Sequence, residues 1–134
     1  MVISTKDKLI EYISPCCSGS VHDYMLLKNN FNLSVDWFDK QHVMLDLGYI
    51  GFNKDYPNTK KISIPKKKKP KQNLAEKEKQ YNKGVSSERI FVEHSIGGLK
   101  RYRILSNRLR VHLIELYDDI LGICAGLWNF YLYN

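Results

Sequence analysis

The first half of the chain carries short apolar runs separated by polar turns, a pattern typical of strands. Residues 2–5 and 9–14 are β-prone, and the polar residues 6–8 between them predict a hairpin. Residues 42–45 and 61–65 predict two further strands, the second closed by its proline because proline cannot continue a sheet ladder. The apolar pattern therefore predicts four short strands.

Helical patterns lie between and after these strands. Ser20 is predicted to cap a helix that starts at residue 21 or 22 and ends near residue 29. Met25, Leu26 and Leu27 would face inward from it. The remaining helices are predicted over residues 74–84, with Asn73 as the cap, from residue 86 or 87 to about 105, and over residues 107–130.

Strands followed by helices predict a mixed α/β fold, in which the last helix packs on the sheet. Gly97 and Gly98 weaken a helix by about 1 kcal/mol each relative to alanine, so the pair indicates close packing or a bend. The length of 134 residues favours a single domain over residues 1–134. The apolar C-terminal run, residues 111–133, is interrupted by acids and is too short when uncharged to span a bilayer, so we interpret it as a buried helix and expect no membrane partner.

Charge changes this picture at one place. The chain has a net charge of +7, and residues 60–71 contain seven lysines and no acid, so the rest is electrically balanced. Two prolines in this stretch favour an extended loop, which we place at residues 65–73. Such a loop can bind phosphates without sequence preference and with a steep dependence on salt. The alternative is a solvated loop that only keeps the protein soluble.

Three cysteines without a CxxC pair exclude a disulfide framework and a zinc ribbon, so we expect a reducing, cytoplasmic setting. The four histidines show no metal-ligand spacing. The N-terminus lacks the apolar stretch of a secretory leader. These observations direct attention to the carboxylates.

Asp46 and Glu93 are the acids for which the sequence predicts a joint role. Asp46 follows a predicted strand, and Glu93 shares one face of a predicted helix with Arg89 and Lys100, since helical residues advance by about 100°. Oxygen ligands of this kind suit hard cations such as Mg²⁺. The alternatives are a solvated turn acid at Asp46 and an ordinary ion pair between Arg89 and Glu93, worth about 0.2–0.5 kcal/mol.

Three ordered blocks carry a resemblance. Residues 84–100, GVSSERIFVEHSIGGLK, resemble the last block of bacterial insertion-sequence transposases of the DDE superfamily, most of all the branch related to the Harbinger transposases. The block is written Y(2)R(3)E(6)K, and here the tyrosine position falls on Ser86. Residues 46–51 resemble the DxGYxG block and residues 19–23 the GSxHD element.

The resemblance implies a ribonuclease-H-like fold in which two aspartates and a glutamate bind two Mg²⁺ or Mn²⁺ ions for DNA strand cleavage and transfer. Asp46 would be the second carboxylate and Glu93 the third, while the resemblance gives Asp23 no assignable role. Arg89 and Lys100 would contact the DNA backbone or orient Glu93. The loop lysines expected to bind DNA are Lys66, Lys67, Lys68, Lys69 and Lys71.

In the family the first aspartate lies on a strand ahead of the hairpin that residues 2–14 resemble, and this chain begins after it. We therefore expect the C-terminal part of a transposase catalytic domain, truncated at its N-terminus and inactive alone. It would associate with an N-terminal transposase fragment or with another copy of itself. The alternatives are a non-catalytic DNA-binding fragment that regulates a full-length transposase, and a small basic protein without any such function.

Overall fold

A computed structural model describes residues 1–17, 19–68, 73–107 and 113–134. The described residues form a mixed α/β structure, as expected from the sequence. They fall into two compact units, a terminal unit of residues 1–20 and 90–134 and a central unit of residues 21–89. In chain order the elements are β1 (Val2–Ser4), β2 (Ile10–Ile13), α1 (Asp23–Asn30), β3 (His42–Met44), a 3₁₀ turn (Leu47–Tyr49), α2 (Phe52–Asp55), β4 (Lys61–Ser63), α3 (Glu76–Lys100), α4 (Arg103–Ser106) and α5 (Ile114–Tyr133).

The predicted hairpin opens the terminal unit. β1 pairs antiparallel with β2, with Ile3 opposite Tyr12 and a shift in register after Ile3. The turn is closed by the Thr5 N–H, which donates to the Leu9 carbonyl over 2.9 Å. Lys8 takes a positive φ of 68° there, a left-handed conformation that reverses the chain. The sequence prediction of this hairpin is confirmed.

α5 packs on this hairpin, as predicted for the last helix. The core joins the two through Trp128, whose indole N–H donates to the Lys8 carbonyl over 3.0 Å. Gly98 on α3 lies against the same indole, so one of the two paired glycines does mark a close approach. The buried core residues of this unit are Ile10, Leu99, Cys124, Ala125 and Trp128.

Asn129, next along α5, bonds to the backbone of β2. Its Oδ1 accepts from the Ile10 N–H over 2.8 Å, and its Nδ2 donates to the Ile10 carbonyl over 2.9 Å. One side-chain amide thus satisfies both backbone groups of Ile10. These are the same two bonds that a neighbouring strand would make.

Only one side of α5 is buried, which corrects the interpretation of a buried C-terminal helix. Cys124 and Trp128 point into the core, whereas Ile123 and Phe130 are largely exposed. The helix begins at Ile114; part of the predicted start lies in residues 108–112, outside the described residues. Among the described residues, no helix is long and apolar enough to cross a membrane. The three cysteines are free thiols.

The central unit contains the other two predicted strands. β3 and β4 pair in parallel, with Val43 opposite Ile62. Between these two strands in the chain, an aromatic cluster packs around α2. Phe52 is fully buried there and stacks on Tyr56, with ring centroids 4.7 Å apart. The Tyr56 hydroxyl donates to the Phe31 carbonyl over 2.6 Å, which attaches the end of α1 to this cluster.

The start of α1 differs from the prediction. His22, not Ser20, is the cap, and its Nδ1 accepts from the Tyr24 N–H over 3.2 Å. An imidazole nitrogen lone pair can fill the role usually taken by a hydroxyl. Leu26 and Leu27 are buried as predicted, but Met25 is 54% exposed, because consecutive helical residues point about 100° apart.

α3 replaces two predicted helices. Gly84 was expected to end the first, yet the helix runs without a break from Glu76 to Lys100. A helical glycine costs only about 1 kcal/mol, and Val85 directly after it is buried at 6% exposure, so packing outweighs that cost. At the start, Glu78 rather than Asn73 provides the cap, since its carboxylate accepts from the Ala75 N–H.

Candidate active site

Asp46 lies two residues beyond β3, at the end of a strand as predicted. Its Oδ1 accepts from the Leu47 N–H over 2.6 Å and so caps the 3₁₀ turn. The same oxygen lies 3.6 Å from a guanidinium nitrogen of Arg89 on α3. Both side chains are about half exposed, so the pair adds little stability.

Tyr49 connects Asp46 with the start of α1. Its ring meets that of Tyr24 edge-on, with centroids 5.9 Å apart. Burial, and then the negative charges of Asp23 and Asp46, together raise the pKa of Tyr49 to about 12. Asp23, which has no assignable role in the sequence, thus acts on the same hydroxyl as Asp46.

Replacing Tyr49 with phenylalanine should change the response of stability to alkaline pH. The folded pKa lies above the ordinary value of 10.0, so the hydroxyl supports folding below about pH 10 and this contribution is lost as pH rises towards 12. Tyr49→Phe lacks this loss. Between pH 8 and pH 11, the unfolding free energy of the unmodified protein should therefore fall by more than that of the variant. The two values should come closer together at pH 11, or the variant should become the more stable protein. Parallel curves for the two proteins would contradict the prediction.

A second polar group keeps Tyr24 in place beside Tyr49. The Tyr24 hydroxyl donates to Asp55 Oδ2 over 2.5 Å, and Lys28 Nζ lies 3.5 Å from the same oxygen. The hydrogen bond from Tyr24, followed by the charge of Lys28, lowers the pKa of Asp55, although burial opposes this. No sequence motif indicated this group.

Glu93 and Lys100 lie on α3 and are exposed. Both belong to the terminal unit, whereas Asp46 and Arg89 belong to the central unit. The structure gives an ionic contact between Asp46 and Arg89 within the central unit. It joins two side chains from two different sequence blocks.

The loop lysines begin three residues after the end of β4. Lys66, Lys67 and Lys68 are exposed, whereas Lys69 and Lys71 lie outside the described residues. Asn82 on α3 binds the backbone of Lys66 in both directions: Oδ1 accepts from the Lys66 N–H over 2.7 Å, and Nδ2 donates to the Lys66 carbonyl over 3.0 Å. The lysine side chains take no part in these bonds.

Comparison with known proteins decides the family. A family model described as DDE superfamily endonuclease matches residues 1–129. The chain belongs to the DDE superfamily of endonucleases. It is also 34% identical over 115 residues to a probable transposase for insertion sequence element IS702 from Microchaete diplosiphon. That alignment covers 85% of this chain and 39% of the relative, so the chain spans well under half of the relative's length. No solved structure matches.

Membership in the DDE superfamily confirms the transposase resemblance at the level of the family. Members act on DNA and in general use divalent metal ions. The donors of this DDE chain fit such ions in kind, because carboxylate oxygens suit hard cations. In number they fall short: among the described residues, no three His, Cys, Asp or Glu side chains are grouped closely enough to hold a metal ion.

Proposed function

We propose that the chain is the C-terminal part of the catalytic domain of an insertion-sequence DDE transposase, with a ribonuclease-H-like arrangement and a relation to the Harbinger branch. Asp46 and Glu93 are two of three carboxylates that bind Mg²⁺ or Mn²⁺. Such ions, when bound, lower the pKa of the attacking water or hydroxyl and stabilise the leaving oxygen. Two carboxylates hold a pair of metal ions only weakly, so in this proposal Asp46 and Glu93 alone do not complete the site.

The observation that supports this most is the contact of Arg89 with Asp46. The two residues are 43 positions apart and come from separate family blocks, R(3)E(6)K and DxGYxG. Arg89 and the Leu47 N–H both act on Oδ1 of Asp46, and Oδ2 takes part in neither contact. The proposal therefore assigns Oδ2 to the cation. Glu93, one helical turn beyond Arg89, follows on the same face of α3.

Basic side chains provide the DNA contacts in this proposal. Arg89 and Lys100 on α3 meet the phosphate backbone, and so do the loop lysines. Each lysine that meets a phosphate releases counterions, so binding tolerates any sequence and fades as salt rises. The lysines that contribute are Lys66, Lys67, Lys68, Lys69 and Lys71.

The second candidate function is that of a non-catalytic DNA-binding regulator of a full-length transposase. One observation favours it: Lys66, Lys67 and Lys68 have exposed side chains that a polyanion can reach. Such a regulator would occupy DNA or join an oligomer of the complete enzyme. It differs from the first proposal in needing no metal.

Metal titration of the purified chain separates these two functions. We expect Mn²⁺ to bind weakly to the chain, and Asp46→Ala and Glu93→Ala each to reduce that binding, because each removes one of the few ligands. Asp119→Ala, at an exposed helical acid, is the matched control and should bind Mn²⁺ as the unmodified chain does. Calorimetry would measure binding, and nicking of a generic duplex would measure activity.

The outcomes of this titration are distinct. No nicking together with Mn²⁺ binding that both variants reduce agrees with an incomplete catalytic domain. Metal-dependent nicking that both variants abolish would overturn the incompleteness of the site. Mn²⁺ binding that neither variant changes would overturn the assignment of Asp46 and Glu93 and leave the regulator.

A further inference from the structure

Asn82 makes a contact that the proposed activity does not account for. Its amide binds both backbone groups of Lys66, with distances of 2.7 Å at the N–H and 3.0 Å at the carbonyl. A side-chain amide can satisfy a donor and an acceptor of one residue only when that residue is held in one orientation. The backbone of the loop is thus attached to α3 at the first of its lysines.

This attachment leaves the charges untouched. Lys66, Lys67 and Lys68, which we call the lysine segment, all have exposed side chains. Pro65 restricts the chain on one side of the attachment, because its ring fixes φ. A loop whose entry is fixed in this way loses less conformational entropy when its lysines bind a polyanion, so it binds more tightly than a free loop of equal charge.

The position of Asn82 on α3 adds a second reason. Arg89, Glu93 and Lys100 follow Asn82 by 7, 11 and 18 residues. Because each helical residue advances by about 100°, the three residues project from the helix axis within about 20° of the direction of Asn82. Asn82 therefore begins the helix stripe that carries the three residues of the R(3)E(6)K block. The lysine segment is attached to that stripe and not to another side of the helix.

We propose that Asn82 is a positioning residue, which holds the lysine segment on the stripe of α3 that carries Arg89, so that both meet the same DNA backbone. This inference rests on the proposed function, because it takes DNA as the partner. Asn82 itself touches no phosphate. It acts through the backbone of Lys66.

Asn82→Ala removes both bonds and leaves every charge in place. Alanine is a better helix former than asparagine, so α3 is not weakened by the change. Gln80→Ala is the matched control, since Gln80 is an exposed amide two residues earlier on the opposite side of α3. A third variant replaces Lys66, Lys67 and Lys68 with alanine and removes the charges while keeping Asn82.

Two measurements test the proposal on the full chain. Amide hydrogen exchange at Lys66 should become roughly tenfold faster in Asn82→Ala, because its N–H loses its partner. Affinity for a generic duplex should fall roughly three- to tenfold, with an unchanged slope against salt, because the same lysines still release counterions. The triple lysine variant should instead reduce that slope by roughly 2 to 3. Gln80→Ala should alter neither measurement.

Three results would overturn the inference. Unchanged exchange at Lys66 in Asn82→Ala would show that the attachment does not hold the loop. Faster exchange with unchanged affinity would show that the attachment holds the loop but does not serve binding. An unmodified chain that binds no duplex at low salt would remove the DNA-binding function itself, and the exchange measurement would still report on the Asn82 contact separately.

Discussion

Gly98→Ala should destabilise the protein by about 1–3 kcal/mol, while the same change one residue earlier should stabilise it. A Cβ on Gly98 would lie closer than any allowed contact to three ring atoms of Trp128. The indole cannot move aside easily, because it is buried at 5% exposure and its N–H is bonded to the Lys8 carbonyl. The added methyl group must therefore displace either α3 or α5.

Gly97→Ala is the matched control for this prediction. Among the described residues, no atom beyond the adjacent helix backbone and chain neighbours lies within 4 Å of the position that a Cβ on Gly97 would take. Alanine in an open helical position gains about 0.5–1 kcal/mol over glycine, so this variant should unfold at higher denaturant. Urea unfolding followed by far-UV circular dichroism measures both changes. Equal effects at the two positions would contradict the packing described for Trp128.

Trp128→Ala should cost about 3–5 kcal/mol, the range usual for a large aromatic side chain in a core. The change removes the centre of the core that joins β2, α3 and α5, and leaves the Lys8 carbonyl without one of its donors. Partial loss of the terminal unit is the expected result. Denaturant unfolding followed by far-UV circular dichroism would measure this loss.

Trp37→Ala provides the control, because the chain has two tryptophans with different surroundings. Trp37 also donates its indole N–H to a carbonyl, that of Asn32 over 3.1 Å, but it is 46% exposed. Its replacement should cost about 1 kcal/mol or less, since little of the ring is removed from water. A loss at Trp37 as large as that at Trp128 would show that the indole hydrogen bond, and not burial, determines the effect.

The hairpin, the two later strands and the mixed α/β class were predictable from sequence because each depends on local pattern. The break expected at Gly84 was wrong for a physical reason. The helical cost of glycine is local and small, whereas the burial of Val85 depends on the rest of the fold. The cap at His22 was missed because a histidine nitrogen is an uncommon acceptor at that position.

The candidate site was predictable only in part. Asp46 and Arg89 were each identified from a separate sequence block. Their separation of 43 positions along the chain does not predict that they make an ionic contact. The sequence likewise could not predict the attachment of Lys66 to Asn82, because the contact involves backbone atoms of a loop. Tertiary structure selects such contacts, and composition alone showed only that the lysines were present.

The amide of Asn129 has a consequence for the behaviour of the chain with other chains. An uncovered strand edge offers its N–H and carbonyl groups to any extended peptide, which is how sheets recruit further molecules into aggregates. At Ile10 both groups are already bonded to one side chain of α5. Asn129 thus blocks strand pairing at Ile10 on the β2 edge of the hairpin. A foreign strand would have to displace Asn129 before it could extend the sheet there.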